Sequence, residues 1–243
     1  AVGSVTANIG LIMCLSLVCM PCLMTRRQFG FKAGLLLATI IVLFAFTRNG
    51  QLSVLQSVVI LLLFVAFLAE SLIAGKREQG TEASEDRPEL TAKTVVQNLF
   101  SFVLGAAAIV LGAQLLIDNG SALAQMIGVP DSIIAATMIA IGTSLPELVT
   151  AVTALVKRET SLSVGNILGA NIIDTVLILP VCAVISGGAL PIASSMLMVD
   201  LPVCIAINLI AFLPSFFTQK FSRWQAFLAL AGYVGYVAYL CTV

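Results

Sequence analysis

The sequence predicts an all-α integral membrane protein with about eight transmembrane helices. Three observations predict it. Hydrophobic residues make up 60% of the chain and charged ones 10%, with a mean hydropathy of +1.10, which suits lipid and not water. The apolar residues gather into runs, most of them long enough for the roughly 30 Å hydrocarbon core. The basic residues are sided. If the loop after the first run is cytoplasmic, then Arg26, Arg27, Lys32, Lys76, Arg77, Arg87, Lys93, Lys157, Arg158, Lys220 and Arg223 all lie inside. Only Arg48 falls outside, as the positive-inside rule requires.

In order, the expected spans are 2–24, 33–46, 52–74, 94–117, 133–156, 162–185, 199–217 and 224–239. The first starts with Gly3, Ser4, Thr6 and Asn8, oxygen-bearing or small residues unusual at a lipid face. Residues 75–93 are charged, contain Pro88 and read as a cytoplasmic linker. They divide the chain into 1–74, with three spans, and 94–243, with five. Asp118 and Asp131 fall in an exterior loop, and Asp200 precedes Pro202 where a helix start is expected. Glu70 lies near the cytoplasmic end of its span, within reach of the interface. Zero net charge gives no nucleic-acid signal. No His is present, so proton chemistry near neutral pH falls to carboxylates. The six Cys lie in or beside apolar runs and suggest no disulfide framework; Cys19 and Cys22 have redox spacing by chance.

Two polar knots carry the chemistry. The first is Gly142-Thr143-Ser144-Leu145-Pro146-Glu147, inside the run 133–156. A carboxylate at the centre of a spanning helix costs roughly 2.5–3.5 kcal/mol, so Glu147 marks function. Pro146 has no N–H, which frees the carbonyl of Gly142. Helical spacing sets Thr143 and Glu147 on one face. The second knot runs from Gly165-Asn166 to Asn171 and Asp174, another intramembrane acid. Gly165 and Gly169 have the spacing that lets membrane helices approach closely. The first knot offers hydroxyls, a freed carbonyl and a carboxylate, and the second amide oxygens and a carboxylate; neither has a nitrogen base, and hard cations want such oxygen donors. The bland alternative, small residues as helix glue and Pro146 as a simple kink, fits any one residue but not two acids on consecutive spans.

These stretches, Gly142 through Leu148 and Gly165-Asn166 through Asp174, resemble the second alpha-repeat of the sodium/calcium exchanger family, within the calcium/cation antiporters. The resemblance extends over essentially the whole chain. It implies a membrane antiporter, not an enzyme, that moves Ca²⁺ and Na⁺ without a cofactor. It implies ten helices in two five-helix halves of opposite direction, with ion ligands from both. A shift of 166 residues places Gly169 on Gly3, Ala170 on Ser4 and Asp174 on Asn8. The implied metal ligands are therefore Glu147, Asp174, Asn8, Ser4, Thr143, Ser144 and Gly142.

The same resemblance makes the eight spans the last eight of ten. The first two helices and a first acid would then belong to a missing N-terminal segment or a companion chain. Ala170 stands where the family usually has Ser, and Pro180 where a small residue is usual. The implied location is a bacterial-type inner or plasma membrane, both ends of the chain outside. Ca²⁺/H⁺ exchange and a non-transporting membrane subunit remain alternatives. An intramembrane aspartyl protease would need Gly-x-Gly-Asp, and Asn171-Ile172-Ile173 precede Asp174 instead.

Overall fold

A computed structural model describes residues 1–23, 29–81, 91–129, 134 and 140–242. Helices dominate: α1 (Val2–Cys19), α2 (Phe31–Thr47), α3 (Val54–Thr81), α4 (Ala92–Met126), α5 (Ala140–Thr143), α6 (Leu145–Val156), α7 (Thr160–Ile185), α8 (Met196–Thr218) and α9 (Arg223–Leu240). Of these, α1, α3, α4, α7 and α8 are each long and apolar enough to cross a membrane. The others are shorter or more polar: α2 has 17 residues, α6 has 12, and α9 opens on Arg223 and Gln225.

The boundaries depart from expectation at three places. The first helix stops at Cys19, because Met20 is extended (φ −143°, ψ 96°) ahead of Pro21. The extended residues Cys22–Leu23 form strand β1 there instead of the end of a span, and Met24 lies outside the described residues. The polar stretch at Asp118-Asn119-Gly120 is not loop. The α4 helix runs through it to Met126, and Asn119 folds its amide back onto the Leu115 carbonyl at 2.7 Å, satisfying both groups locally. Asp200 does not begin a helix but ends a π-helical stretch, Met196–Asp200, at the head of α8, where its carboxylate accepts from the Tyr236 hydroxyl at 2.9 Å. Of the run 133–139 only Ile134 is described, and Asp131 and most of the linker 75–93 also lie outside the described residues.

Four short strands follow or precede these helices and pair crosswise. Strand β1 pairs antiparallel with β4 (Lys220–Phe221); β2 (Gln51–Ser53) pairs with β3 (Ala189–Pro191), Leu52 opposite Leu190. The shift of 166 that sets Asn8 on Asp174 also sets Leu23 on Ala189, so β1 follows α1 as β3 follows α7. The packing repeats the pattern. The last turns of α1 (Cys14–Cys19) lie on α9, and the last turns of α7 (Leu179–Ile185) lie on α3. Both α3 and α9 start with the same cap: Gln56 Oε1 accepts from the Ser53 N–H, and Gln225 Oε1 from the Ser222 N–H, each at 2.9 Å.

The core is the seam between these two sets. It contains Ile9 and Met13 of α1, Leu36, Ile40 and Leu43 of α2, Ile167, Leu168 and Ile172 of α7, and Phe212 of α8, all essentially fully buried. At one end of the seam Phe29, Phe212, Phe216 and Phe221 pack in tilted and edge-to-face pairs, with centroids 5.0–6.2 Å apart. The α4 helix stands apart on the outside and touches α5 and α6.

Candidate cation site

The site forms where α1, the α5–α6 break and α7 meet. Pro146 does more than free one carbonyl. Among the described residues the helix is interrupted at Ser144 (φ −92°, ψ 2°), and Pro146 sits in the first turn of a new helix, α6, where its missing N–H costs nothing. The expected common face of Thr143 and Glu147 therefore does not exist, since the break lies between them. Thr143 is exposed, whereas Ser144 is 2% exposed and turns inward. Gly142 is buried against α4: a Cβ there would lie 2.2 Å from Ile117 Cγ1 and 2.3 Å from Cδ1.

The α1 and α7 helices are distorted at matching points. A π-helical stretch begins at Asn8 (Asn8–Met13) and another at Asp174 (Asp174–Ile178), which are the two positions related by the shift of 166. A π turn inserts one residue into the helical ladder, loosens it and re-aims the side chains there, and such turns concentrate at functional sites. Glycine allows α1 to come close to α9 at this level, since a Cβ on Gly10 would meet Tyr233 Cβ at 2.8 Å. Gly165 and Gly169 serve no such approach among the described residues: a Cβ at either would find none of them within 4 Å.

Two hydrogen bonds tie the parts together across long sequence separations. The Ser4 and Ser144 hydroxyls lie 3.3 Å apart, and the Asn8 amide donates to Asn171 Oδ1 at 2.8 Å. The Asp174 carboxylate neighbours the Ser4 hydroxyl, and the helix of Glu147 packs on the stretch that begins at Asn8. In this cluster, and among the described residues, Asn8 Oδ1, Glu147 Oε2 and Asn171 Nδ2 are buried with no hydrogen-bond partner. An orphaned carboxylate oxygen and an orphaned amide oxygen in one apolar seam are expensive unless something positive fills the space. Ser4, Asn8, Ser144, Glu147 and Asp174 thus come from three separated segments into one neighbourhood. Gly142 and Thr143 lie beside it, turned toward α4 and the outside respectively.

Asn171 stands three residues before Asp174 in the second polar knot. In the fold it is fully buried and reaches across to Asn8. Its signal was present as an amide in an apolar run, but its partner lies 163 residues away. A lateral chain also forms, in which Asn166 donates to Thr150 Oγ1 at 2.9 Å and Thr150 to the Glu147 carbonyl at 2.9 Å, steadying α6 on α7. Glu70 is half-buried in α3, and one of its carboxylate oxygens is buried with no partner among the described residues.

The chain is similar to known membrane proteins over most of its length. The family model described as sodium/calcium exchanger protein matches residues 1–72 and 97–242. An uncharacterized membrane protein of Methanocaldococcus jannaschii is 28% identical over 99% of this chain and 75% of its own length. The sodium/calcium exchanger MaX1 of Methanosarcina acetivorans is 35% identical over 59% of this chain and 41% of its own, and the inner membrane protein YrbG of Escherichia coli is 33% identical over 80% and 62%. Among solved structures, the sodium-calcium exchanger NCX_Mj soaked with Na⁺ and Sr²⁺ superposes with a TM-score of 0.78, at 27% identity, over 98% of this chain and 74% of that one. With a matching family model over most of its length and an exchanger fold around a buried oxygen cluster, the chain belongs to the sodium/calcium exchanger protein family.

Proposed function

We propose that this chain carries a common site for Ca²⁺ and Na⁺ and works as Na⁺-driven Ca²⁺ antiport machinery. One observation carries the reading: carboxylates, hydroxyls and an orphaned amide oxygen from α1, α6 and α7 meet inside the apolar seam. Glu147 and Asp174 would supply charge, and Ser4, Ser144, Asn8 Oδ1 and the Gly142 carbonyl neutral oxygens, while the exposed Thr143 lies beside the cluster. Ca²⁺ takes about six to eight such ligands, and Na⁺ accepts the same hard donors. Exchange follows from exclusion, because ions that share ligands cannot be held together. The empty, doubly acidic cluster is costly to carry past lipid, so the protein reorients with cargo and not without it.

Residues 1–74 and 94–243 are read as parts of two oppositely directed halves, joined by 75–93. The repeated π stretches, crossed strand pairs and matching caps support that reading. The basic loops put residues 75–93 and 157–158 in the cytoplasm and both ends of the chain outside, in a bacterial-type plasma membrane. Flux separates Na⁺ coupling from proton coupling. In proteoliposomes of the full-length protein, an outward Na⁺ gradient should drive uptake of radioactive Ca²⁺, and a pH gradient of equal size should not. Uptake driven by the pH gradient alone would replace this reading with Ca²⁺/H⁺ exchange.

A further inference from the structure

We infer that Asn171 is a positioning residue that fixes which end of the Asn8 amide faces the cation. This rests on the proposed role of Asn8 as a ligand and adds a residue to which no role has been given. An amide side chain has one acceptor end and one donor end, nearly equal in shape. Only the acceptor end attracts a cation; the donor end repels it. Asn8 is fully buried in the π stretch of α1, and packing alone does not distinguish its two ends.

Asn171 supplies the distinction. Its Oδ1 accepts from Asn8 Nδ2 at 2.8 Å, which occupies the donor end of Asn8 and leaves Asn8 Oδ1 as the buried oxygen without a partner. Asn171 is itself anchored on the rigid part of α7: it is fully buried and Thr175 Oγ1 donates to its backbone carbonyl at 2.9 Å. Its own NH₂ is the other orphan of the pair and, as a donor, cannot ligate a cation. The flipped arrangement would make one bond as well, but it would leave the NH₂ of Asn8 as its free end, and a donor cannot ligate a cation. With a cation at the free end of Asn8, the flipped state is penalised and the observed one favoured.

The test is a double-mutant cycle read by Ca²⁺ binding, with Na⁺ competition, on purified full-length protein. Asn171→Leu keeps the volume and removes the acceptor; it should weaken Ca²⁺ binding about tenfold, in line with the loss of one buried hydrogen bond. Asn171→Asp keeps an acceptor that only the NH₂ of Asn8 can satisfy, and should recover most of that loss. In an Asn8→Ala background, Asn171→Leu should change the affinity less than twofold, because the group it orients is gone. Equal tenfold losses in both backgrounds, or no loss from Asn171→Leu when Asn8→Ala alone weakens binding, would overturn the positioning role. No loss from Asn8→Ala itself would instead overturn the ligand assignment beneath it.

Discussion

Gly142→Ala is the sharpest single perturbation of the site's frame. The added methyl would sit 2.2 Å from Ile117 Cγ1 and 2.3 Å from Cδ1, well inside contact distance, while Ile117 Cβ is 3.8 Å away. Two atoms of Ile117 must move together. A β-branched side chain on a helix has essentially one comfortable χ1, so the swing is not free. Overpacking of this kind costs about 1–3 kcal/mol. In thermal unfolding in detergent that corresponds to a fall of roughly 2–12 °C for a protein of this size. The strain would push the α5–α6 break away from α4 and carry Ser144 off Ser4, so Ca²⁺ affinity should fall with stability. Ile117→Ala opens the space, and the double substitution should be more stable than the sum of the two singles. Gly165→Ala is the control: its Cβ meets nothing within 4 Å, and alanine favours helix by about 0.5–1 kcal/mol. If Gly142→Ala and Gly165→Ala behave alike, the close approach of α4 to the break does not hold the site.

Gly10→Ala should also destabilise, by about 1–3 kcal/mol, because the methyl would meet Tyr233 Cβ at 2.8 Å, an atom fixed to the α9 backbone; urea or thermal melts in detergent read it. Ser4→Ala and Ser144→Ala, whose hydroxyls lie 3.3 Å apart, should be non-additive in Na⁺ affinity, the double losing no more than about the larger single loss. Glu147→Gln keeps size and removes charge, so the protein should still insert and fold while Ca²⁺ uptake is lost; unchanged uptake would remove Glu147 from the site. In a cysteine-free background, single Cys residues replacing Asn119 and Arg158 should label from outside at 119 only, and labelling at 158 alone would reverse the orientation.

Much of this was legible in the residues, for a physical reason. Lipid demands apolar runs, and an acid inside one must have a purpose, so Glu147 and Asp174 stand out without any structure. Local geometry was less legible. Pro146 announced a weakened helix, but the interruption at Ser144 and the close fit of Gly142 against Ile117, 25 residues earlier, are not local properties of the motif. The π stretches that begin at Asn8 and Asp174 have no proline at their starts to announce them in the sequence. Gly165 and Gly169 show the opposite failure: the spacing is right, yet what faces a glycine is decided by the neighbouring helix. The α4 helix runs past Asp118 and Asn119 because polar residues at a membrane edge can bond within their own turn.

The central claim is that one oxygen cluster, shared by α1, α6 and α7, serves both ions. The most direct measurement is equilibrium Ca²⁺ binding to the purified full-length protein at increasing Na⁺. The account predicts that Na⁺ raises the apparent Ca²⁺ dissociation constant without limit while the number of Ca²⁺ sites stays constant, and that Glu147→Gln abolishes the Ca²⁺ binding that Na⁺ displaces. Ca²⁺ binding that persists unchanged at saturating Na⁺ would show that the two ions occupy independent sites, and would contradict the account.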